Sequence, residues 1–248
     1  FEGYEFFPLI ASSASRQNGS NEALSETFAV YGSQLNAEEM RFVINYQAVR
    51  GINIFNFMTM SYEKKGVLPF QYRPSFIPEN PGCECLSEIN GYTARLSYLM
   101  RSGNAVIDTA LYYPFRTICA GGEEAEKAKE SFEKKGLMLE RAGICFDLVD
   151  EEYLKSPKKS VKYKNIYVPF APLETDETKA LLSKYKACAE PLIKCESFVR
   201  CRAVENGGER LYFVTNESGV RKKTEIVLPE NRNVYEINLR DGKIYGVK

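Results

Sequence analysis

The sequence contains no histidine and no tryptophan, and its basic and acidic side chains cancel in number. Without histidine, the 248 residues by themselves supply no Ser-His-Asp triad, no His-ligated metal and no imidazole general base. Without tryptophan, they lack the largest aromatic platform for stacking against a ligand. The 33 basic residues against 33 acidic ones argue against a nucleic-acid-binding surface, because such a surface needs excess positive charge to displace counterions from phosphates.

The sequence also has no long apolar run, and we expect no secretory leader. No stretch approaches the roughly 18 to 20 apolar residues of a membrane span, and no basic region followed by an apolar one comes after Phe1. The seven scattered cysteines form an odd-numbered set, which is more typical of reduced thiols than of a disulfide framework. Cys83 and Cys85 could offer two thiolates to zinc, but two further ligands are not close in sequence. We therefore expect a cytoplasmic protein with no membrane partner, no nucleic-acid partner and no metal site.

What is present is the composition of an ordinary globular chain. At 44% hydrophobic and 27% charged residues, it can bury a core and form two or three domains. The local patterns change twice along the sequence. They predict an α/β protein in three parts: residues 1–101, 102–196 and 197–248.

The first part alternates helices and strands. A strand is expected at 23–28 and another at 52–57, with a helix between them. Asn36 and Glu39 are spaced as a capping box at the start of that helix, and Gly51 suits a left-handed residue at its end. Strand, helix and strand with short connections favour a parallel sheet flanked by helices.

The second part repeats strand and helix, which predicts a doubly wound α/β domain. The expected elements are strands at 105–113, 144–149 and 165–168 and helices at 123–142 and 175–187. Gly121 and Gly122 precede the longer helix and could form a phosphate loop. Glu123 and Glu124 follow at once and would repel an anion, so nucleotide binding is disfavoured.

The third part has the alternation of short β-strands. Turn sequences that contain glycine separate the runs, as at Gly207-Gly208 and Asp241-Gly242, which favours hairpins. The expected strands cover 198–204, 209–216, 224–228, 234–239 and 243–247. About fifty residues are few for an independent sandwich, so we expect this small antiparallel domain to pack on its neighbours.

Glu26 is the carboxylate that we single out for chemistry. It lies near the carboxyl end of the first expected strand, between Ser25 and Thr27. In a β/α barrel, active sites are built at that end of the strands. From spacing alone, however, a helix-entry or edge carboxylate is the more favoured interpretation of Glu26.

Several segments resemble the final part of the catalytic barrel in large bacterial glycoside hydrolases related to α-L-rhamnosidase and β-galactosidase type enzymes. The run from Ser25 to Gly32, Ser-Glu-Thr-Phe-Ala-Val-Tyr-Gly, carries most of this likeness. The others are residues 11–16, 38–40, 49–55, 90–99, 109–114 and 146–150. In such enzymes the barrel is followed by an amidotransferase-like α/β domain that has lost catalysis, and then by β-sandwich modules.

The resemblance implies specific roles. Residues 1–101 would hold the last strands and helices of a (β/α)8 barrel, with 23–28 as strand seven and 52–57 as strand eight. Glu26 would be the catalytic carboxylate of strand seven in a glycosidase. Its carbohydrate substrate would stack on aromatic side chains. The candidates are Tyr31, Tyr62, Phe70 and Tyr72, for which packing is an equally good interpretation.

The same resemblance sets limits. Hydrolysis of a glycosidic bond needs two carboxyl groups, and the second one, normally on strand four, would lie upstream of Phe1. Two strands cannot close an eight-stranded barrel, so we expect the fragment alone to be inactive. No organic cofactor is implied, while calcium is an open alternative in the intact enzyme. A second hypothesis is a non-catalytic carbohydrate-binding or assembly module that forms a homo-oligomer.

Overall fold

The computed structural model describes residues 6–29, 31–32, 34–58, 60, 76, 83–157, 161–229 and 233–247. The chain has a mixed α/β fold. In its first part, β1 and β2 pair in parallel, as the strand-helix-strand pattern predicts. The elements there are α1 (Phe7–Gln17), β1 (Leu24–Thr27), α2 (Ala37–Val49), β2 (Ile54–Phe57) and α3 (Leu86–Arg101).

Both ends of α2 are fixed by the predicted local chemistry. The Asn36 side chain accepts hydrogen bonds from the Glu38 and Glu39 amides, and the Glu39 carboxylate accepts one from the Asn36 amide. The capping box is therefore confirmed. Gly51 follows the helix with φ +99°, a left-handed conformation that favours glycine.

One predicted strand of the second part is wrong, because residues 105–113 divide between two sheets. β3 (Asn104–Ala105) pairs antiparallel with a later strand, β7 (Val199–Asn206), whereas β4 (Thr109–Tyr112) lies in a parallel sheet. The change occurs around Asp108, whose backbone carbonyl accepts hydrogen bonds from Lys164 and Asn165. A continuous apolar run does not specify its pairing partners, so the sequence could not reveal this division.

The parallel sheet has β4 in its centre, with strand order β5-β4-β6. The chain leaves β4 on one side and returns on the other, which is the start of a doubly wound arrangement. The predicted helix at 175–187 is shorter than expected, and two short helices were not predicted. The elements are α4 (Phe115–Ala120), α5 (Gly122–Arg141), β5 (Asp147–Val149), α6 (Glu151–Lys155), β6 (Asn165–Tyr167) and α7 (Asp176–Leu182).

The third part forms two separate hairpins. β7 and β8 (Glu209–Asn216) pair antiparallel around Gly207 and Gly208, as predicted, and β3 extends their sheet. β9 (Val234–Ile237) and β10 (Ile244–Val247) form the second hairpin. The expected strand at 224–228 is wrong: Val227 makes only an isolated bridge to Lys194.

The hydrophobic clusters connect the three parts. In one, Ile44 of α2 and Leu96 of α3 share a core with Val204 and Phe213 of the β7-β8 hairpin. In another, Leu9 of α1 packs with side chains of the parallel sheet and α5. The boundaries at 101 and 196 stay predictions, while the packing ties the parts into a continuous structure.

Two further findings concern the thiols and the helices. All seven cysteines lie among the described residues and are free thiols, as their odd number suggests. None of the helices formed by the described residues has the length and apolarity needed to cross a membrane.

Candidate active site

Among the residues that the structure describes, the β1-β2 sheet has one covered face and one uncovered face. On the covered face, Thr27 Oγ1 lies 3.2 Å from Gln47 Oε1 of α2, and Phe55 and Phe57 pack against the core. Because side chains alternate along a strand, Leu24 and Glu26 project to the opposite side. Leu24 is 58% exposed there, which is unusual for an apolar residue of a parallel sheet.

Glu26 lies on this uncovered face beside Asn56. The parallel register pairs Glu26 with Asn56, and both side chains are exposed. Within the described part of the chain, the Glu26 carboxylate has no hydrogen-bond partner. The pair therefore offers one carboxylate and one amide at the carboxyl edge of two parallel strands. Sequence reasoning selected Glu26 but missed Asn56, since the register alone places it there.

The backbone turns sharply just after Glu26. Phe28 has φ +78°, a left-handed conformation that is rare for an aromatic residue, and its side chain is buried. Such strain costs about 1 to 3 kcal/mol and concentrates at functional sites. The Phe28 ring is held by Phe57 at 4.9 Å and by Phe76 at 6.2 Å between ring centroids. No sequence signal marks this residue, because phenylalanine has no preference for positive φ.

Tyr31 is the predicted aromatic residue that the structure places near this turn. Its ring meets the Phe28 ring edge-on at 6.3 Å, and its amide donates a hydrogen bond to the Phe28 carbonyl. The ring remains partly exposed, and burial of the rest raises the pKa of the Tyr31 phenol. Its hydroxyl is therefore a neutral donor and acceptor near pH 7. Tyr62, Phe70 and Tyr72 lie outside the described residues.

At the carboxyl edge of the β5-β4-β6 sheet, side chains of β4, α4 and the segment before α7 hydrogen-bond to one another. Tyr112 Oη donates a hydrogen bond of 2.7 Å to Glu174, and Thr117 Oγ1 donates one of 3.3 Å to the other carboxylate oxygen. Burial is the main cause that raises the pKa of Tyr112 well above its ordinary range. Such an edge is the usual ligand site of a doubly wound sheet. Glu174 adds negative charge there, and Glu123 and Glu124 lie in the first turn of α5, which disfavours an anionic ligand.

Cysteines and carboxylates do not assemble into a metal centre in the described parts of the chain. No group of three or more Cys, Asp or Glu side chains there is placed to hold an ion. The expectations about metals, including calcium in a longer protein, stay predictions.

A solved structure shares this fold. It is described as the structure of a rhamnosidase from Novosphingobium sp. PP1Y, and the similarity has a TM-score of 0.70 at 13% sequence identity. The alignment covers 98% of this chain and 30% of that one. At this identity, the likeness shows the fold alone. No family model matches the sequence, and no curated protein matches it either.

Proposed function

We propose that this chain is part of a glycoside hydrolase, and that Glu26 is one of its two catalytic carboxylates. The observation that carries the proposal is the exposed Glu26-Asn56 pair at the carboxyl edge of two parallel strands. The fold similarity to a rhamnosidase across 98% of the chain supports the same class of enzyme. A distant glycosidase relationship is also what the Ser-Glu-Thr-Phe segment favours.

The uncovered face supports the barrel part of the proposal. Parallel strands are normally buried on both faces, yet Leu24 and Glu26 are exposed. Further strands of a (β/α)8 barrel would cover this face and surround Glu26 with a substrate cleft. In this proposal β1 and β2 are strands seven and eight of the barrel. Residues 102–196 then form an amidotransferase-like domain, and 197–248 form a β-sandwich-like segment.

The proposed chemistry assigns a role to each described site residue. A retaining enzyme uses a carboxylate as nucleophile at about 5 to 5.5 Å from the acid, and an inverting enzyme uses a base at about 6.5 to 9.5 Å. Glu26 takes one of these roles, and the second carboxylate comes from another segment of the enzyme. Asn56 hydrogen-bonds a sugar hydroxyl, and Tyr31 stacks on the ring or donates its phenolic proton in a hydrogen bond.

The test is Glu26→Gln in the longer protein that the proposal requires, assayed on a panel of nitrophenyl glycosides that includes a rhamnoside. We expect kcat to fall by about 10³-fold or more while the melting temperature stays unchanged. Glu38→Gln is the matched control, because Glu38 is an exposed carboxylate in the first turn of α2. Near-normal turnover of Glu26→Gln would overturn the proposal.

A small external nucleophile separates chemistry from folding. In Glu26→Ala, azide can occupy the space of the lost carboxylate and attack the anomeric carbon. Restored turnover with formation of a glycosyl azide supports a direct role of Glu26 in the reaction. A variant that loses activity, keeps its fold and forms no glycosyl azide would show that Glu26 is not the retaining nucleophile, which leaves the inverting base to be tested by product stereochemistry.

A second candidate function is a non-catalytic carbohydrate-binding or assembly module. The β9-β10 hairpin favours it, because Tyr235 and Ile244 expose large apolar side chains on the same face of the hairpin. Homo-oligomer formation through this hairpin predicts a dimer in light scattering that Ile244→Lys converts to a monomer. A monomeric wild-type chain at high concentration would exclude this assembly role.

A further inference from the structure

A small polar cavity lies between α1, the segment before β1, and β7. Its volume is about 20 Å³, and a water molecule needs about 10 to 15 Å³ on the same measure. It can therefore hold one atom-sized ion or water and is far too small for a sugar ring. The polar residues that line it are Ser12, Ser15, Arg16, Ser20, Asn21, Asn53 and Arg202.

Arg202 dominates the chemistry of this cavity. It lies in the middle of β7 and is only 5% exposed. Its guanidinium packs over Gly51, where an added Cβ would come within 2.7 Å of Arg202 Nη2. Among the described residues, no acceptor receives a hydrogen bond from the Arg202 side chain. A guanidinium has five N–H donors, and this one lines the cavity, so an acceptor placed in the cavity could receive hydrogen bonds from it.

Arg16, the second cation at the cavity, already has its counterion. Arg16 Nε donates to Asp147 Oδ2 at 2.8 Å, and Tyr163 donates to the same oxygen at 2.7 Å. Arg16 Nη1 also donates to the Ala105 carbonyl at 2.9 Å. The carboxylate therefore balances Arg16 directly and attracts Arg202 only at longer range, since no ion pair joins Arg202 to Asp147 in the described structure.

The surroundings leave a net positive charge. None of the described residues that line the cavity is an aspartate or glutamate. Two guanidinium groups, Arg16 and Arg202, thus face one nearby carboxylate, Asp147. Burial lowers the pKa of Arg202, and Arg16 lowers it further by repulsion, while Asp147 opposes both. A buried cation that shares one carboxylate with a second cation and has no ion pair of its own is costly, which gives a small anion a reason to enter.

We propose that this cavity binds a single halide ion, chloride under ordinary conditions, against the Arg202 guanidinium. The volume admits a monatomic ion and excludes sulfate, phosphate and organic anions. The ion neutralises the second guanidinium and accepts its N–H donors. The site is structural and lies at the amino end of β1, away from the edge where Glu26 lies, so the proposal does not depend on a glycosidase function.

The test is the melting temperature of the full chain in chloride, bromide and gluconate at equal ionic strength. Gluconate is too large for the cavity, so it controls for general salt effects. We expect chloride and bromide to raise the melting temperature by about 2 to 5 °C in a saturable way relative to gluconate. Equal melting temperatures in all three salts would overturn the proposal.

Two variants assign the effect to the site. Arg202→Met keeps much of the side-chain length and removes the charge, so it should abolish the difference between chloride and gluconate. Arg221→Met removes an exposed arginine and should retain the full difference. A halide response that persists in Arg202→Met would place the ion elsewhere and contradict the assignment.

A direct measurement avoids dependence on a variant that fails to fold. A bromide soak of wild-type crystals should give an anomalous peak within hydrogen-bond reach of Arg202. The cavity should contain no density for a polyatomic molecule. A water molecule at that position, without anomalous signal, would overturn the proposal.

Discussion

Arg50 and Glu140 form a bidentate ion pair, with Nε to Oε1 at 2.8 Å and Nη2 to Oε2 at 2.7 Å. Arg50 also binds the Glu217 carboxylate at 2.7 Å, and Arg200 lies within 3.5 Å of both acids. The pair therefore joins the end of α2 to the end of α5 and to the segment after β8. All three parts of the chain meet at one buried charge network.

Removal of Arg50 should strongly destabilise the fold. Arg50→Met leaves the buried Glu140 and the partly buried Glu217 with Arg200 as their remaining partner, and loss of one member of a buried pair costs about 3 to 5 kcal/mol. Urea unfolding measures this loss. Arg41→Met is the control, because Arg41 binds the exposed Glu88 and its loss should cost less than about 1 kcal/mol. Equal losses in the two variants would contradict a special role of the network.

Gly51 should tolerate no side chain. A Cβ there would lie 2.7 Å from Arg202 Nη2 and 2.7 Å from Ser12 Cβ, and φ is +99°. We expect Gly51→Ala to lose about 2 to 5 kcal/mol from left-handed strain and overpacking together. Gly207→Ala is matched in its positive φ but has open space around it, so it should lose only about 1 to 2 kcal/mol. The comparison fails if Gly207→Ala proves as destabilising as Gly51→Ala.

Glu151 should make stability depend on acidic pH. Hydrogen bonds first from Lys155 and then from Arg116 lower the pKa of Glu151 from its ordinary 4.5 to about 2. Because the folded value lies below the unfolded one, this stabilisation is present above about pH 4.5 and is lost as the pH falls towards about 2. Between about pH 4.5 and about pH 2, the melting temperature of the wild type should therefore fall more than that of Glu151→Gln.

Salt and a neighbouring carboxylate provide the controls for that titration. The Glu151 pairs lie at the surface, so high salt should reduce the difference between wild type and Glu151→Gln. Glu152→Gln, which changes the adjacent exposed carboxylate, should keep the wild-type slope. An acid slope that is identical in wild type and Glu151→Gln would refute the assignment.

The cysteines should divide into reactive and inert groups. Cys119 and Cys188 are exposed and should react with a disulfide reagent in the native state. Burial raises the pKa of Cys145 to about 12, and its thiol donates to the Cys201 carbonyl at 2.7 Å. Cys145 and Cys201 should react only after unfolding, as mass spectrometry of the labelled peptides can show. Native-state labelling of Cys145 would contradict this order.

Local signals predicted the elements well where the interactions are local. The Asn36-Glu39 capping box and the left-handed Gly51 mark the two ends of α2 as expected, because both features depend on residues a few positions apart. The β1-α2-β2 unit followed from the same periodicity. The single strand predicted at 105–113 is wrong, because the two halves of this run pair with different strands that are distant in sequence.

The candidate site shows the same division. The sequence placed Glu26 near the carboxyl end of a strand, since strand length and neighbouring turn residues are readable locally. It could not show that Asn56 would lie beside it, because that depends on register between strands. It gave no indication of the positive φ of Phe28, which the packing of Phe57 and Phe76 holds in place.

The sequence by itself therefore determined the α/β class, the capping of α2, the β7-β8 turn and the strand that carries Glu26. Each depends on backbone preferences and on periods of two or 3.6 residues. The tertiary structure alone decided the uncovered face of β1-β2, the Arg50-Glu140 pair and the packing of Arg202 against Gly51. These features depend on contacts between segments that are distant in sequence. Burial and charge pairing arise from those contacts and cannot be read from any single segment.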